Sequence, residues 1–297
     1  MERLPLDLQK HLKNQFNDDL DTILQGFNKE ACTTFRVNTL KSTMDDVVKS
    51  LDEACIKYEI IDTKGIFKVD GDASLLRKLA IYDEGKIYLQ SISSMLPVTF
   101  LEPKPNEDIL DMAAAPGGKT SQIAALTNNQ ARITAYEVNK IRAERLKYNL
   151  NKLGVKNYTV IENDARNIDS FFRFDQILLD APCSGTGTID FANPQSYKSF
   201  NEKMLGYTTR CQLKLLEKAL EVLKPGGTMV YSTCSILSCE NEDIILKALS
   251  KRKDVEVVKL QYDSKLLLKC KVDGALVIRP TSDNEGFFIC KLRKLSK

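Results

Sequence analysis

An open, doubly wound α/β sheet preceded by a small α+β module is the fold this sequence predicts. Three observations predict it. From about Asp108 onward, β-type apolar runs alternate with amphipathic helical stretches, the pattern of a mostly parallel sheet with helices on both faces. A glycine-containing turn, DMAAAPGGKT (Asp111 to Thr120), follows the first of these runs. Two cysteines, Cys183 in DQILLDAPCSGTG and Cys234 in GTMVYSTCS, close later ones. Strand ends are where open α/β sheets hold ligands and reactive groups, so the motifs fall where the fold places its chemistry.

The elements follow in order. Residues 1–105 mix helical stretches (LPLDLQKHLKNQF, MDDVVKSLDEACI) with short β-like ones (TFRVNTL, YEIID, IYLQS), as expected of a small α+β module. Residues 106–297 carry five expected strands: DILDM, ARITAYEV, YTVIEND, DQILLDAP and GTMVYST. Between the second and third, Ile141, Leu146, Leu150 and Leu153 are expected to form the apolar stripe of a helix ended by Gly154. Before the fifth, Leu213, Leu216, Leu220 and Leu223 form another, stopped by Lys224-Pro225-Gly226-Gly227. The runs ALVIRP and GFFICKLRK predict an antiparallel hairpin at the sheet edge.

Composition narrows the function. The 43% hydrophobic and 28% charged content is that of an ordinary globular protein. No apolar run approaches the roughly 20 residues needed to span a bilayer, and the start lacks the apolar stretch of a secretory signal, so a cytoplasmic location is expected and no membrane role. The eight cysteines are too scattered for a disulfide scaffold; Cys32, Cys55, Cys211, Cys270 and Cys290 are expected to be small buried hydrophobes. With one histidine, His11, and no CxxC pair, no metal is expected. The net charge of +3 divides into −3 before residue 106 and +6 after it, which directs an anionic partner to the larger part.

Three features carry chemistry. The turn ends in Gly118-Lys119-Thr120, but a phosphate loop needs a glycine where Ala113 stands, which argues against nucleotide hydrolysis. Gly117 and Gly118 still let a ligand approach the backbone at a helix N-terminus. Acids stand at successive strand ends: Asp111, Glu137, Asp164 and Asp180. Glu137 suits ribose hydroxyls and Asp164 an adenine amino group, so together they point to a nucleoside cofactor. Cys183 and Cys234, each in a Ser/Thr-rich turn after a strand, point to thiol chemistry; a cysteine protease is disfavoured because no histidine lies near the sheet.

Together DMAAAPGGKT, DAPCSGTG and YSTCS resemble the cofactor loop and two cysteine motifs of the RsmB/NSUN-type (Sun family) RNA cytosine-5 methyltransferases. The similarity continues through FRVNTLK, LQSISSMLP, EVNKIRAERL and the terminal IRP…EGFF, nearly the whole chain. It implies a Rossmann-like methyltransferase sheet, an RNA-binding type for the module of residues 1–105, S-adenosylmethionine as cofactor, and RNA as substrate, ribosomal RNA before transfer RNA. It also implies that Cys234 attacks carbon 6 of cytosine, that Cys183 helps resolve the covalent intermediate, that Asp180 contacts ring nitrogen 3, and that Lys119 stands in the active-site loop. Cofactor contacts are implied for Ala113, Ala114, Ala115, Pro116, Gly117, Gly118 and Lys119, for Glu137 and Arg142, and for Asp164 and Asp180.

For RNA contacts, two basic clusters are candidates: Arg142, Arg145, Lys147, Lys152 and Lys156, and Lys291, Arg293, Lys294 and Lys297. Tyr197, Phe200 and Tyr207 are candidates to stack on flanking bases, since a target base must leave its stack to reach a pocket thiol. A monomer is expected. The competing functions are methylation of a small molecule or protein amine, which would leave both cysteines dispensable, and an inactive RNA-assembly factor of the same fold.

Overall fold

The computed structural model describes residues 1–29, 32–63 and 65–296. Helices α1 (Leu6–Gln15) and α2 (Leu20–Gly26) come first, then a four-stranded sheet of β1 (Cys32–Val37), β2 (Tyr58–Asp62), β3 (Ile66–Asp70) and β4 (Ile87–Leu89) in the order β2-β3-β1-β4. All three of its pairings are antiparallel. Helix α3 (Met44–Glu53) packs on this sheet through Val47 and Leu51, its start fixed by a reciprocal capping box between Thr43 and Asp46. Phe35, Val37, Val47, Leu51, Phe67 and Ile87 form the small core there. Two short helices, α4 (Ser74–Arg77) and α5 (Ala80–Asp83), connect β3 to β4.

After α6 (Ile92–Leu101) the chain alternates as expected: β5 (Asp108–Asp111), α7 (Gly118–Leu126), β6 (Arg132–Tyr136), α8 (Lys140–Lys152), β7 (Tyr158–Ile161), β8 (Phe174–Asp180), α9 (Glu202–Val222) and β9 (Leu223–Thr233). The strands stand in the order β9-β8-β5-β6-β7, all parallel. The chain winds outward from β5 in one direction and then, at β8, in the other. The crevice at the carboxyl ends of β5 and β8 is therefore the topological switch point. The rest comprises α10 (Glu242–Leu249), β10 (Val255–Val258), β11 (Leu267–Leu268), β12 (Leu276–Ile278) and β13 (Phe287–Lys294).

One face of the large sheet packs on α9, α10 and the N-terminal α1 and α2, through Leu8, Leu12, Ile23, Phe27, Leu216, Leu220 and Ile245. The other packs on α6, α7 and α8, through Val98, Leu101, Ile123, Leu146 and Leu150.

Several expectations are corrected. The C-terminal hairpin forms, but β13 is interior, paired to β9 on one side and to β12 and β10 on the other, and its first six residues are buried. Ile141 is 81% exposed because five residues separate it from Leu146, a rotation of about 140° at 3.6 residues per turn; Ala143 completes the buried stripe instead. Leu223 belongs to β9 rather than to the helix before it. Of the cysteines expected inside, Cys290 is buried, Cys32, Cys211 and Cys270 are half-buried, and Cys55 is exposed in a left-handed turn. Tyr197 and Phe200 are core residues, which leaves only Tyr207 of the three aromatics exposed. Among the described residues no helix is long and apolar enough to cross a membrane.

Candidate active site

Asp180 ends β8 and pairs in register with Ser232 near the end of the neighbouring β9. Parallel pairing therefore carries both chains out of the sheet on the same side, and the two cysteine turns meet. Cys183 Sγ lies 3.3 Å from Cys234 Sγ, a thiol–thiol hydrogen bond between half-buried residues. The turns interlock through their backbones, with the Gly187 N–H donating to Cys234 O at 2.9 Å. A side chain at Gly187 is excluded, since its Cβ would lie 2.0 Å from Gly286 O and 2.9 Å from Cys234 O.

Lys119, from the first turn of α7, reaches the same place. Its Nζ donates to Asp180 Oδ2 at 2.7 Å and to Ser94 Oγ at 2.8 Å, while Asp180 Oδ1 accepts from Ser232 Oγ at 2.8 Å. Burial opposes the lysine charge, but Asp180, with Cys234 and Asp111 nearby, carries its pKa above the ordinary value. Burial pushes the Asp111 carboxyl up to about 6, against a hydrogen bond from Thr120. The hydrogen bond to Cys234 and burial raise Cys183 well above the usual thiol range.

A cavity of about 290 Å³ opens beside this cluster. It brings together Ala113, Ala114, Ala115, Pro116, Gly118, Lys119 and Asp180 of the expected cofactor residues, with Asp111 also in its wall. Gly117 turns away from it at φ 105°, a left-handed conformation suited to glycine, and packs toward Leu146. Glu137, Arg142 and Asp164 do not line this cavity. Glu137, after β6, is buried; its Oε1 accepts from the Asn139 N–H at 3.0 Å, and Arg142 lies 3.6 Å from its Oε2 while donating to Ala115 O at 2.9 Å. Asp164, after β7, is held below the usual carboxylate range by Arg166, which donates to both of its oxygens.

The sequence left Tyr88, Gln90, Ser91, Ser94 and Glu285 of the cavity wall unassigned. Their signal lay in the stretch IYLQS and the motifs LQSISSMLP and EGFF, which have no chemistry of their own until the fold closes them over the turn at Asp111 to Thr120. Arg36, in FRVNTLK, is likewise a support: fully buried, it donates to Gly118 O at 3.0 Å, Ser121 Oγ at 2.7 Å and Gln90 Oε1 at 3.0 Å, and lies over the Tyr88 ring. Burial lowers its guanidinium to about 10. Arg36→Met removes three hydrogen bonds made by a buried cation and is expected to cost about 2–3 kcal/mol, read from denaturant midpoints. An unchanged midpoint contradicts this bracing role.

The basic clusters divide. Lys291 is buried against Glu102 at 2.5 Å, and Lys294 donates to the carbonyls of Leu220 and Leu223, each at 2.8 Å, so both serve the fold. Arg293 pairs with Glu256, Lys147 with Glu144 and Glu162, and Lys297 lies outside the described residues. Arg145 and Lys152 instead border a second cavity of about 370 Å³ with Arg77, Tyr82, Tyr88 and Pro116. Among the described residues no group of three or more His, Cys, Asp or Glu is arranged to hold a metal ion.

Residues 98–293 match the family model described as 16S rRNA methyltransferase RsmB/F, and residues 4–66 match that of the RsmF/B-like ferredoxin-like domain. The chain is 34% identical to ribosomal RNA small subunit methyltransferase F of Shewanella loihica, over 98% of this chain and 61% of that protein. It is 37% identical to the 25S rRNA (cytosine-C(5))-methyltransferase nop2 of Schizosaccharomyces pombe, over 89% of this chain and 46% of that one. A methyltransferase homolog from Pyrococcus horikoshii superposes with a TM-score of 0.84 at 36% identity, covering 96% of this chain and 94% of its own. The chain thus spans about three fifths of the length of the first curated bacterial relatives. With the family model matching residues 98–293 and the sheet in the expected parallel order, the chain belongs to the RsmB/F family of 16S rRNA methyltransferases.

Proposed function

We propose that this protein transfers a methyl group from S-adenosylmethionine to carbon 5 of cytosine in RNA, ribosomal RNA before transfer RNA, through a cysteine adduct. The observation that carries this reading is the pair of thiols 3.3 Å apart beside Lys119 and Asp180. Methylation of an amine requires neither thiol, whereas carbon 5 of cytosine is a poor nucleophile until a thiolate adds to carbon 6.

The residues at the switch point fit the cofactor. Asp111, in the cavity wall, suits an ammonium group. Glu137 and Asp164, after the next two strands and outside that cavity, are proposed to extend the site to ribose hydroxyls and to an adenine amino group, with Arg142 tying Glu137 to Ala115 and Arg166 already donating to both Asp164 oxygens. When bound, S-adenosylmethionine supplies an electrophilic methyl group. Cys234 forms the bond to carbon 6. As Cys234 adds, ring nitrogen 3 takes up a proton from solvent, and Asp180, whose oxygens each keep a free lone pair beside Lys119 and Ser232, accepts a hydrogen bond from that N–H; the ring returns this proton to solvent when the adduct opens. After transfer the electrons of the carbon 5–hydrogen bond restore the ring double bond and expel Cys234 Sγ. Cys183 passes its proton to the departing sulfur and takes the carbon proton in its place; one proton then leaves to solvent.

The direct test is incubation of purified protein with ribosomal RNA, transfer RNA and labelled S-adenosylmethionine, followed by mapping of 5-methylcytosine. Label on protein or small amines, with none on RNA, overturns the reading. For docking, Arg77, Arg145 and Lys152 are proposed to meet RNA phosphates, with Tyr82 beside them. In Arg77→Ala/Arg145→Ala the slope of log affinity against log salt is expected to become shallower by about 0.7 for each phosphate no longer neutralised on single-stranded RNA, with base selectivity kept. An unchanged slope returns these side chains to the solvated surface.

A further inference from the structure

Two adjacent residues that the chemistry above does not use, Glu240 and Asn241, each grip one of the cysteine turns. Both are fully buried. Glu240 Oε1 accepts from the Ser184 N–H at 2.8 Å, Thr208 Oγ1 at 2.9 Å and Gln212 Nε2 at 3.3 Å, and its Oε2 accepts from Ser184 Oγ. Gln212 Nε2 also donates to Pro182 O at 2.9 Å, so both neighbours of Cys183 are tied to this carboxylate. Asn241 Oδ1 accepts from Thr233 Oγ1 at 2.6 Å, and its Nδ2 donates to Ser235 O at 2.8 Å, which ties both neighbours of Cys234. The Tyr231 hydroxyl pins the segment between them by donating to Glu240 O at 2.7 Å.

The charges around the thiols are arranged unequally. The titratable groups acting on the pair are Lys119 from α7, Tyr231 from β9 and Glu240 from the turn before α10, while Asp180 from β8 and Asp111 from β5 lie against the Lys119 ammonium. The one cation among these, Lys119, faces Cys234, whereas Glu240 acts on Cys183. The carboxylate has no Lys or Arg among its four donor groups, all of them neutral. A buried anion held in this way disfavours a second negative charge beside it.

We infer that Glu240 and Asn241 are positioning residues: together they clamp the two cysteine turns into contact, and the Glu240 carboxylate keeps the shared proton on Cys183 so that Cys234 is the sulfur that attacks. This rests on the proposed thiol chemistry, but its test needs neither RNA nor cofactor. A structural clamp alone would require only a polar group at position 240. The charge is the functional part.

The test is alkylation of the purified full chain with iodoacetamide at neutral pH, with each cysteine quantified by mass spectrometry. Wild type is expected to label at Cys234 ahead of Cys183; equal labelling there overturns the inference without any variant. Glu240→Gln keeps an acceptor for three of the donors and a rotatable Ser184 hydroxyl for the fourth, so its melting temperature is expected to stay close to wild type. Its Cys234-to-Cys183 labelling ratio is expected to fall about tenfold, the size of a one-unit relative shift between the thiols. An unchanged ratio in folded Glu240→Gln sinks the electrostatic role. For the clamp, a short bis-alkylating reagent is expected to bridge the two thiols in wild type and to do so about tenfold more slowly in Asn241→Ala, as the thiols move apart. Equal bridging rates remove Asn241 from the device. Failure of RNA methylation by wild type would instead count against the methyltransferase reading alone.

Discussion

Cys234→Ala is expected to abolish cytosine methylation and to form no protein–RNA adduct, whereas Cys183→Ala accumulates an adduct that survives denaturing electrophoresis. The two sulfurs are neighbours at 3.3 Å, yet they are proposed to serve opposite halves of the reaction. Loss of the attacking sulfur removes the bond to carbon 6 and with it the nucleophilic carbon 5, a fall of at least about 10³-fold in rate. Loss of Cys183 leaves addition and methyl transfer intact but removes the group that exchanges the carbon 5 proton for the one given to the departing sulfur. Turnover is then expected to slow by about 10²–10⁴-fold, the ordinary weight of a positioned acid–base group. The double variant forms no adduct. Trapping in Cys234→Ala with none in Cys183→Ala would exchange the roles. Full methylation by both single variants would remove thiol chemistry and favour an amine as acceptor.

What the chain disclosed before folding follows from the range of the interactions involved. The five parallel strands were legible because each is a local apolar run bounded by polar turns, and the cofactor turn because Gly117 must adopt positive φ next to a helix start. Helix α6 was not seen as a helix: it carries Pro97 inside an apolar run without a clear stripe, and its form is set by packing on α7, β8 and β9. Ile141 shows the limit of periodicity, since spacing by five residues leaves the stripe and only the docked helix reveals it. The interior position of β13 depends on a pairing with β9 some sixty residues earlier, which no local pattern encodes.

The site divides in the same way. Cys183, Cys234, Lys119 and Asp180 announce themselves through short motifs, and the fold brings them into one cluster. Glu240 lies in CENEDIILKAL, where acids before an apolar helix look like solvated first-turn residues; only burial against Ser184, Thr208 and Gln212 shows otherwise. Lys291 and Lys294 err in the opposite direction. A basic terminus looks like a phosphate patch until Glu102 and the carbonyls at the end of α9 are seen to occupy both side chains.

Lys119→Met is expected to lower both stability and activity, and the double variant Lys119→Met/Asp180→Asn to recover the first without the second. The ion pair is short, 2.7 Å, with side chains 13% and 27% exposed. Removing the lysine leaves Asp180 with Ser232 as its only remaining hydrogen-bond donor of the two, and leaves Asp111 without a nearby cation. A fully buried pair broken on one side costs about 3–5 kcal/mol, and the residual exposure of Asp180 sets the expectation at about 2–3 kcal/mol. Asp180→Asn strands the lysine instead and is expected to destabilise by a similar amount. Neutralising both partners removes the uncompensated charge, so the double variant should lie well above the sum of the single losses. Methyl transfer responds differently, because Lys119 and Asp180 are proposed to act on the pyrimidine and the Cys234 sulfur and not only on each other. All three variants are expected to lose about 10²–10³-fold in single-turnover rate, the scale of a lost electrostatic group in a preorganised site. Denaturant midpoints and single-turnover assays on the same preparations separate the two effects. If the rate returns together with the stability, the pair is a strut of the fold and the chemistry belongs to the thiols alone.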